Sequence, residues 1–129
     1  MSLGPELAAA RERVLESLQQ GGATPPAVDD ELTGLDAKQT ASLLEMMRAS
    51  GEVVLVGEHA FHASALEGLV ETLQRHAAER EGEIHIPTLR DDLGTTRKYL
   101  IPLLEHFDAT GLTVRHGDRR VLRRREGGS

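Results

Sequence analysis

Leu43-Leu44-Glu45-Met46-Met47-Arg48-Ala49-Ser50-Gly51-Glu52-Val53-Val54-Leu55-Val56-Gly57-Glu58 returns 60 residues later as Leu103-Leu104-Glu105-His106-Phe107-Asp108-Ala109-Thr110-Gly111-Leu112-Thr113-Val114-Arg115-His116-Gly117-Asp118. Identities fall at Leu43/Leu103, Leu44/Leu104, Glu45/Glu105, Ala49/Ala109, Gly51/Gly111, Val54/Val114 and Gly57/Gly117. Gly34 and Gly94 keep the same offset. Two glycines bracketing an apolar strand pattern, repeated at fixed spacing, indicate two diverged copies of one small domain.

Working outward, each copy reads the same way. In the first, Leu7, Ala10, Val14, Leu15 and Leu18 lie near helical spacing and predict a helix over residues 5–20. Pro5 suits its first turn, and Gly21-Gly22 stops it. Pro25-Pro26 makes an extended loop, and a short helix or turn covers 30–34. Asp36 caps a helix over 37–49 that Gly51 ends. Strands at 52–56 and 59–62 flank a Gly57-Glu58 turn. In the second copy, Ser64 is expected to cap a helix over 65–81 that ends at Gly82, and alternating Ile84 and Ile86 predict a strand over 83–86. Pro87 opens a short helix over 88–93, and Gly94 makes a turn. Thr95 or Thr96 caps a helix reaching 109, with Pro102 predicting a kink or a shortened start. Strands at 112–116 and 120–124 are joined by Gly117-Asp118.

Helix, strand, helix, turn, helix, hairpin is the winged-helix order. The expected class is α+β, mostly helical, with two tandem winged-helix domains at 1–63 and 64–125 and a tail at 126–129. Met1-Ser2-Leu3 and Glu126-Gly127-Gly128-Ser129 read as added ends, so an excised fragment is expected.

Composition narrows the function. The 129 residues include no Trp, one Tyr and two Phe, which argues against a sheet that stacks bases. Leu, with 19 copies, suits helix packing. The absence of Cys excludes disulfides, thiol catalysis and Cys-based zinc sites. No apolar run approaches ~18 residues, and the N-terminus has no signal-peptide pattern. A cytoplasmic protein without a membrane partner is expected.

Charge is unevenly spread. Residues 1–63 carry 4 basic and 10 acidic side chains, whereas 64–129 carry 11 of each. Within 97–125, Arg97, Lys98, Arg115, Arg119, Arg120, Arg123, Arg124 and Arg125 face only Glu105, Asp108 and Asp118. Binding follows the local field, so a net charge of −6 for the chain does not exclude a polyanion. The second helix of the turn motif starts at the surface, where its N–H groups attract phosphate, and the wing lies beside it. In copy two these elements read Thr95-Thr96-Arg97-Lys98-Tyr99 and Arg115-His116-Gly117-Asp118-Arg119-Arg120. In copy one they read Leu35-Asp36-Ala37-Lys38-Gln39 and Leu55-Val56-Gly57-Glu58-His59-Ala60. Copy two is therefore the nucleic-acid candidate, and copy one a spacer or protein-contact module. The site residues are Arg97, Lys98, Arg119, Arg120, Thr96, Arg90, Arg115 and Arg123.

Plainer roles compete for some residues. Asp91 and Asp118 are expected to pair with nearby Arg, and Tyr99 to pack in the core near Leu103. Arg123-Arg124-Arg125 either touches the partner directly or is a loose tail. His59 and His62, three apart in a strand, face opposite sides, and His85, His106 and His116 lack ligand spacing, so no zinc site is expected. No nucleophile–base pair stands out, and enzymatic activity is not expected.

Three blocks resemble a family: Thr88-Leu89-Arg90-Asp91-Asp92-Leu93-Gly94-Thr95-Thr96-Arg97-Lys98-Tyr99, Pro102-Leu103-Leu104-Glu105-His106-Phe107-Asp108, and Gly117-Asp118-Arg119-Arg120-Val121-Leu122. They are similar to the C-terminal region of the bacterial selenocysteine-specific translation elongation factor (SelB). That family's pattern runs Arg-Asp, Gly, Ser-Arg-Lys-Tyr, Leu-Glu-x-Phe-Asp and Gly-Asp-x-Arg. Thr96 replaces the usual Ser, keeping a hydroxyl for the cap, and His106 replaces the usual aromatic. Copy one resembles the preceding winged helix of the same factor. The resemblance implies that copy two binds the selenocysteine insertion (SECIS) hairpin of mRNA and tethers the factor for UGA recoding. Arg97 and Lys98 would meet phosphates, Arg119 and Arg120 the neighbouring strand, with Arg90 joining them. GTP and selenocysteinyl-tRNA would belong to N-terminal domains; this chain has no GxxxxGK[ST] loop, and no cofactor is expected in it. The ribosome is a further partner of such a factor, and the fragment is expected to be a monomer. A tandem winged-helix DNA-binding regulator and a protein-interaction module are the competing readings.

Overall fold

The computed structural model describes residues 4–123. Expectations for Met1-Ser2-Leu3, for Arg124 and Arg125, and for the tail at 126–129 lie outside the described residues. The chain divides into two compact units, Met1–Glu67 and Gly68–Ser129. The division falls four residues later than the expected 63/64 boundary, inside a helix.

The first unit holds α1 (Pro5–Gly21), α2 (Asp30–Thr33), α3 (Ala37–Ala49), β1 (Val53–Val56) and β2 (His59–His62). Pro5 sits in the first turn of α1, where its missing N–H leaves nothing unsatisfied. Asp36 caps α3 by accepting from the Gln39 N–H at 2.8 Å, while the Gln39 side chain accepts from the Asp36 N–H at 3.3 Å. That reciprocal pair satisfies two N–H groups of a helix start. Ala10, Val14, Leu18, Leu35, Leu43, Met47, Val53 and Ala60 form its buried core.

The second unit repeats the plan with α4 (Ala63–Ala78, which begins before the division), α5 (Ile86–Leu93), α6 (Arg97–Ala109), β3 (Thr113–His116) and β4 (Arg119–Leu122). Leu73, Ala77, Leu89, Leu100, Leu103, Leu104 and Phe107 are buried here, each full-sized side chain stabilising the unit by about 1.5–3 kcal/mol.

The offset of 60 residues survives in the backbone. Gly34/Gly94, Gly51/Gly111 and Gly57/Gly117 all have positive φ, at 73/67, 84/82 and 63/65°. Both α3 and α6 end with equivalent bonds, Glu52 N–H to Met47 C=O at 3.0 Å and Leu112 N–H to Phe107 C=O at 2.9 Å. Both hairpins keep one register, Val56↔His59 and His116↔Arg119 closing two-residue turns. One buried pair differs. Thr33 and Thr40 share a hydroxyl hydrogen bond of 2.8 Å where the second unit has Leu93 and Leu100.

Several expectations change. Ser64 does not cap α4: the helix begins one residue before it, and the His62 Nδ1 accepts the Ser64 N–H at 3.1 Å. The helix ends at Ala78 rather than 81, because Glu81 and Gly82 take positive φ and the Gly82 N–H returns to the Ala77 C=O at 2.7 Å. The strand over 83–86 shrinks to a bridge at Glu83↔Val121, flanked by bonds from Ile84 N–H to Arg120 C=O and Leu122 N–H to Gly82 C=O. Ile86 instead opens α5, because Pro87 fits the first helical turn. Pro102, expected to kink α6 or shorten its start, lies inside a helix that runs from Arg97 to Ala109, so the start is not shortened.

Candidate nucleic-acid interface

The left-handed Gly94, whose N–H reaches the Asp91 C=O at 3.1 Å, turns α5 into α6. Arg97 and Lys98 thereby fall in the exposed first turn of α6. Lys98 Nζ lies 5.3 Å from the Tyr99 ring centroid, within cation–π range, and Tyr99 is half-buried rather than a core residue. Thr96 occupies the N-cap position but its hydroxyl makes no capping hydrogen bond, contrary to expectation. The two repeats differ in charge here. A carboxylate, Asp36, sits on the start of α3, whereas no acid lies in the first turn of α6 and its cap is a threonine. An anion approaching α3 meets a negative charge; one approaching α6 meets Arg97 and the positive helix end.

Arg90 and Arg97 line one surface concavity with Ile86, Pro87, Leu100 and Ile101. Arg115, Arg119 and Arg120 line a second with Ile84, Ile86, Ile101, Leu104, Glu105 and Asp118. Ile86 and Ile101 belong to both, and both are large apolar side chains left exposed, at 38% and 42%. The structure therefore brings Arg90 and Arg97 and the wing cations around one apolar patch. Thr96 and Lys98 stand at the start of α6 but line neither concavity, and the exposed Arg123 follows β4 with its N–H on the Leu112 C=O.

The wing arginines are not equivalent. Arg119 is two-thirds exposed and forms an ion pair with Glu83. Arg115 is exposed, its Nε donating to the Gly117 C=O at 3.0 Å across the turn. Arg120 is turned inward. Its side chain is 12% exposed, with Nε 3.1 and 3.2 Å and Nη2 2.8 Å from the Asp108 carboxylate, which also accepts from the Thr113 hydroxyl at 2.5 Å. Arg120, expected to grip a nucleic-acid strand, ties β4 to the end of α6 through its guanidinium while still lining the second concavity. Burial by itself would raise the Asp108 carboxyl. The hydrogen bonds from Arg120 and Thr113, with the charges of Arg120 and Arg115, outweigh it and hold the pKa below the ordinary carboxylate value.

Of the acids expected to pair with arginine, Asp91 lies 3.8 Å from Arg90 Nε, whereas Asp118 shares the second concavity with Arg115 and Arg119. His106 packs its ring 6.1 Å from that of Phe107, and burial pushes its pKa below the usual histidine value. Sequence reasoning missed His76, a fully buried histidine of α4; its apolar helical neighbours Leu73 and Ala77 were the available signal.

Three helices, the last two joined by a tight turn, followed by a hairpin whose cations flank the second of them, define a winged-helix domain with a basic face. Its particular likeness is to the selenocysteine-specific elongation factor SelB. Residues 75–122 match the family model for the winged helix of elongation factor SelB. A selenocysteine-specific elongation factor of Desulfomicrobium baculatum is 29% identical over 127 residues, covering 97% of this chain. The chain spans about a fifth of that relative's length, the covered share being 20%. The mRNA-binding domain of SelB from E.coli, solved in complex with SECIS RNA, superposes with a TM-score of 0.74 at 23% identity, covering 95% of this chain and all of that one, a likeness of fold. A bacterial selenocysteine-specific elongation factor EF-Sec gives a TM-score of 0.70 at 25% identity, covering 95% of this chain and 20% of that one. The chain thus resembles the C-terminal winged-helix region of SelB, the reading its motifs carried. Among the described residues no helix is long and apolar enough to cross a membrane.

Proposed function

We propose that this chain is the C-terminal, mRNA-holding part of a selenocysteine-specific elongation factor. Its second winged helix binds the SECIS hairpin and tethers the factor where UGA is recoded. The carrying observation is the placement of Arg90 and Arg97 on one side, and Arg115 and Arg119 on the other, of the exposed Ile86–Ile101 patch. An RNA stem hides its base edges in a deep, narrow groove, so a small module gains affinity from phosphates along the backbone and from bases splayed out of the stem. Arginine forks suit phosphate or a guanine edge, and an apolar patch between them suits an unstacked base. Lys98, held near Tyr99, adds a point charge at the helix start. Arg120 contributes by fixing the wing.

The first unit is a second, tandem winged helix in this reading. It has the same element order and keeps Lys38 where the second unit has Lys98, but has Ala37, Leu55, His59 and Ala60 in place of Arg97, Arg115, Arg119 and Arg120. It acts as a spacer or protein-contact module. GTP and selenocysteinyl-tRNA are handled by the rest of the factor, this part has no catalytic role and no cofactor, and it works in the cytoplasm as a monomer, within reach of the ribosome.

Titrations of the whole chain with a SECIS hairpin, a scrambled hairpin and duplex DNA, each at two salt concentrations, test the reading. The SECIS hairpin should bind tightest, with affinity falling as roughly the third to fourth power of salt if four or five cations meet phosphates. Arg97→Ala should weaken it by about 1–3 kcal/mol if the guanidinium meets a base. Equal affinity for all three nucleic acids would sink hairpin recognition, tightest binding to duplex DNA would favour a DNA-binding regulator, and no binding at low salt would favour a protein-interaction module.

A further inference from the structure

The ring of His76 is fully buried near the end of α4, and both its nitrogens are engaged at opposite ends of one short helix. Nδ1 lies 2.9 Å from the Asp92 carboxylate, in the last turn of α5. Nε2 accepts the backbone N–H of His85, the residue that precedes α5, at 3.0 Å. A backbone N–H can only donate, so Nε2 must be the bare nitrogen and Nδ1 carries the hydrogen given to Asp92. A neutral imidazole with one fixed tautomer therefore pins the start and the end of α5 to α4. A helix of 8 residues is too short to hold itself in water, and His85 supplies no side-chain cap to its amides; its ring bonds the Thr88 hydroxyl at 2.7 Å instead. This helix carries Ile86 and Arg90, half of the cation-flanked surface shared with Arg97 and Ile101 of α6.

We propose that His76 is a positioning residue for nucleic-acid binding: its ring sets α5 so that Arg90 and Ile86 stand opposite Arg97. The inference rests on the proposed function, and adds to it a residue that never touches the ligand. His76→Leu keeps the volume and removes both bonds. His76→Gln keeps one donor and one acceptor about as far apart as the ring nitrogens.

The test measures SECIS-hairpin affinity of the whole chain at a temperature where circular dichroism shows each variant folded. His76→Leu should bind roughly five- to tenfold more weakly, and His76→Gln should recover most of that loss. The penalty of Arg90→Ala should largely vanish in the His76→Leu background, because the arginine is already misplaced; a merely structural role predicts additive losses. If His76→Leu fails to fold, Asp92→Ala, a surface change that breaks only one of the two pins, should weaken binding a few-fold and show the same non-additivity with Arg90→Ala. Unchanged affinity in folded His76→Leu, or in Asp92→Ala where that variant is needed, or full additivity with Arg90→Ala, overturns the inference alone. Failure of the unmodified chain to bind the hairpin overturns the proposed function, and this inference with it.

Discussion

Replacing Arg120 with alanine separates the two roles that an arginine on the wing can have. The side chain is 12% exposed, and its guanidinium nitrogens lie 2.8–3.2 Å from a carboxylate that is itself 28% exposed. A hydrogen bond to a charged partner is worth about 1.5–3 kcal/mol net, and stranding one member of a fully buried pair costs about 3–5 kcal/mol. Water can return to the partly exposed Asp108, and the Thr113 hydroxyl still donates to it, so the lower range applies. Arg120→Ala should therefore destabilise the second unit by about 2 kcal/mol, roughly 8–16 °C in melting temperature for a domain this small. Asp108→Asn combined with Arg120→Met should recover part of the loss, since no charge is then left stranded. Urea unfolding and calorimetry read the stability. A hairpin titration against salt reads the other role: removing a cation that meets a phosphate would flatten the log–log slope by about 0.7–0.9, as expected for Arg119→Ala or Arg97→Ala. An Arg120→Ala protein of unchanged stability with a flattened slope would refute the internal tie.

Acid should act on the same tie. The Asp108 pKa is held below its ordinary value in the folded chain, so this stabilisation is present above the unfolded value near ~4 and is lost as pH falls through the lowered folded value. Urea midpoints should drop on acidification below about pH 4, and Asp108→Asn should flatten that drop while lowering the plateau at neutral pH; an unaltered acid limb would count against it. The caps offer a contrast: Asp36→Ala should cost about 1 kcal/mol because its carboxylate caps α3, whereas Thr96→Ala should cost under about 0.5 kcal/mol because its hydroxyl caps nothing. Equal losses in thermal unfolding would contradict the capping geometry.

The repeat was legible because chain reversals at fixed places need positive φ. Gly34, Gly51 and Gly57 return as Gly94, Gly111 and Gly117, and a diverging sequence keeps glycine where an L side chain would be strained. Helix α3 was legible to the residue because Asp36 and Gly51 mark its two ends. Arg97, Arg115 and Arg119 were legible as exposed cations from the contrast between repeats, whereas the same contrast picked Arg120, which the fold uses internally. Boundaries governed by competition were less so. Ile84 and Ile86 alternate like a strand, yet Pro87 takes Ile86 into a helix, and the pairing with the wing shrinks to a bridge at Glu83 and its flanking bonds.

What the sequence determined by itself was the plan: local rules of turn, cap and periodicity, stated twice, and a surplus of cations on the second statement. Which cations face solvent was a tertiary decision. Arg119 and Arg120 are chemically alike, but β4 sends neighbouring side chains to opposite faces and Asp108, twelve residues away in sequence, waits on one of them. His76 follows the same logic, its two partners being brought to the ring only when α4 and α5 pack. Such long-range pairing depends on distances in space that no spacing along the chain records.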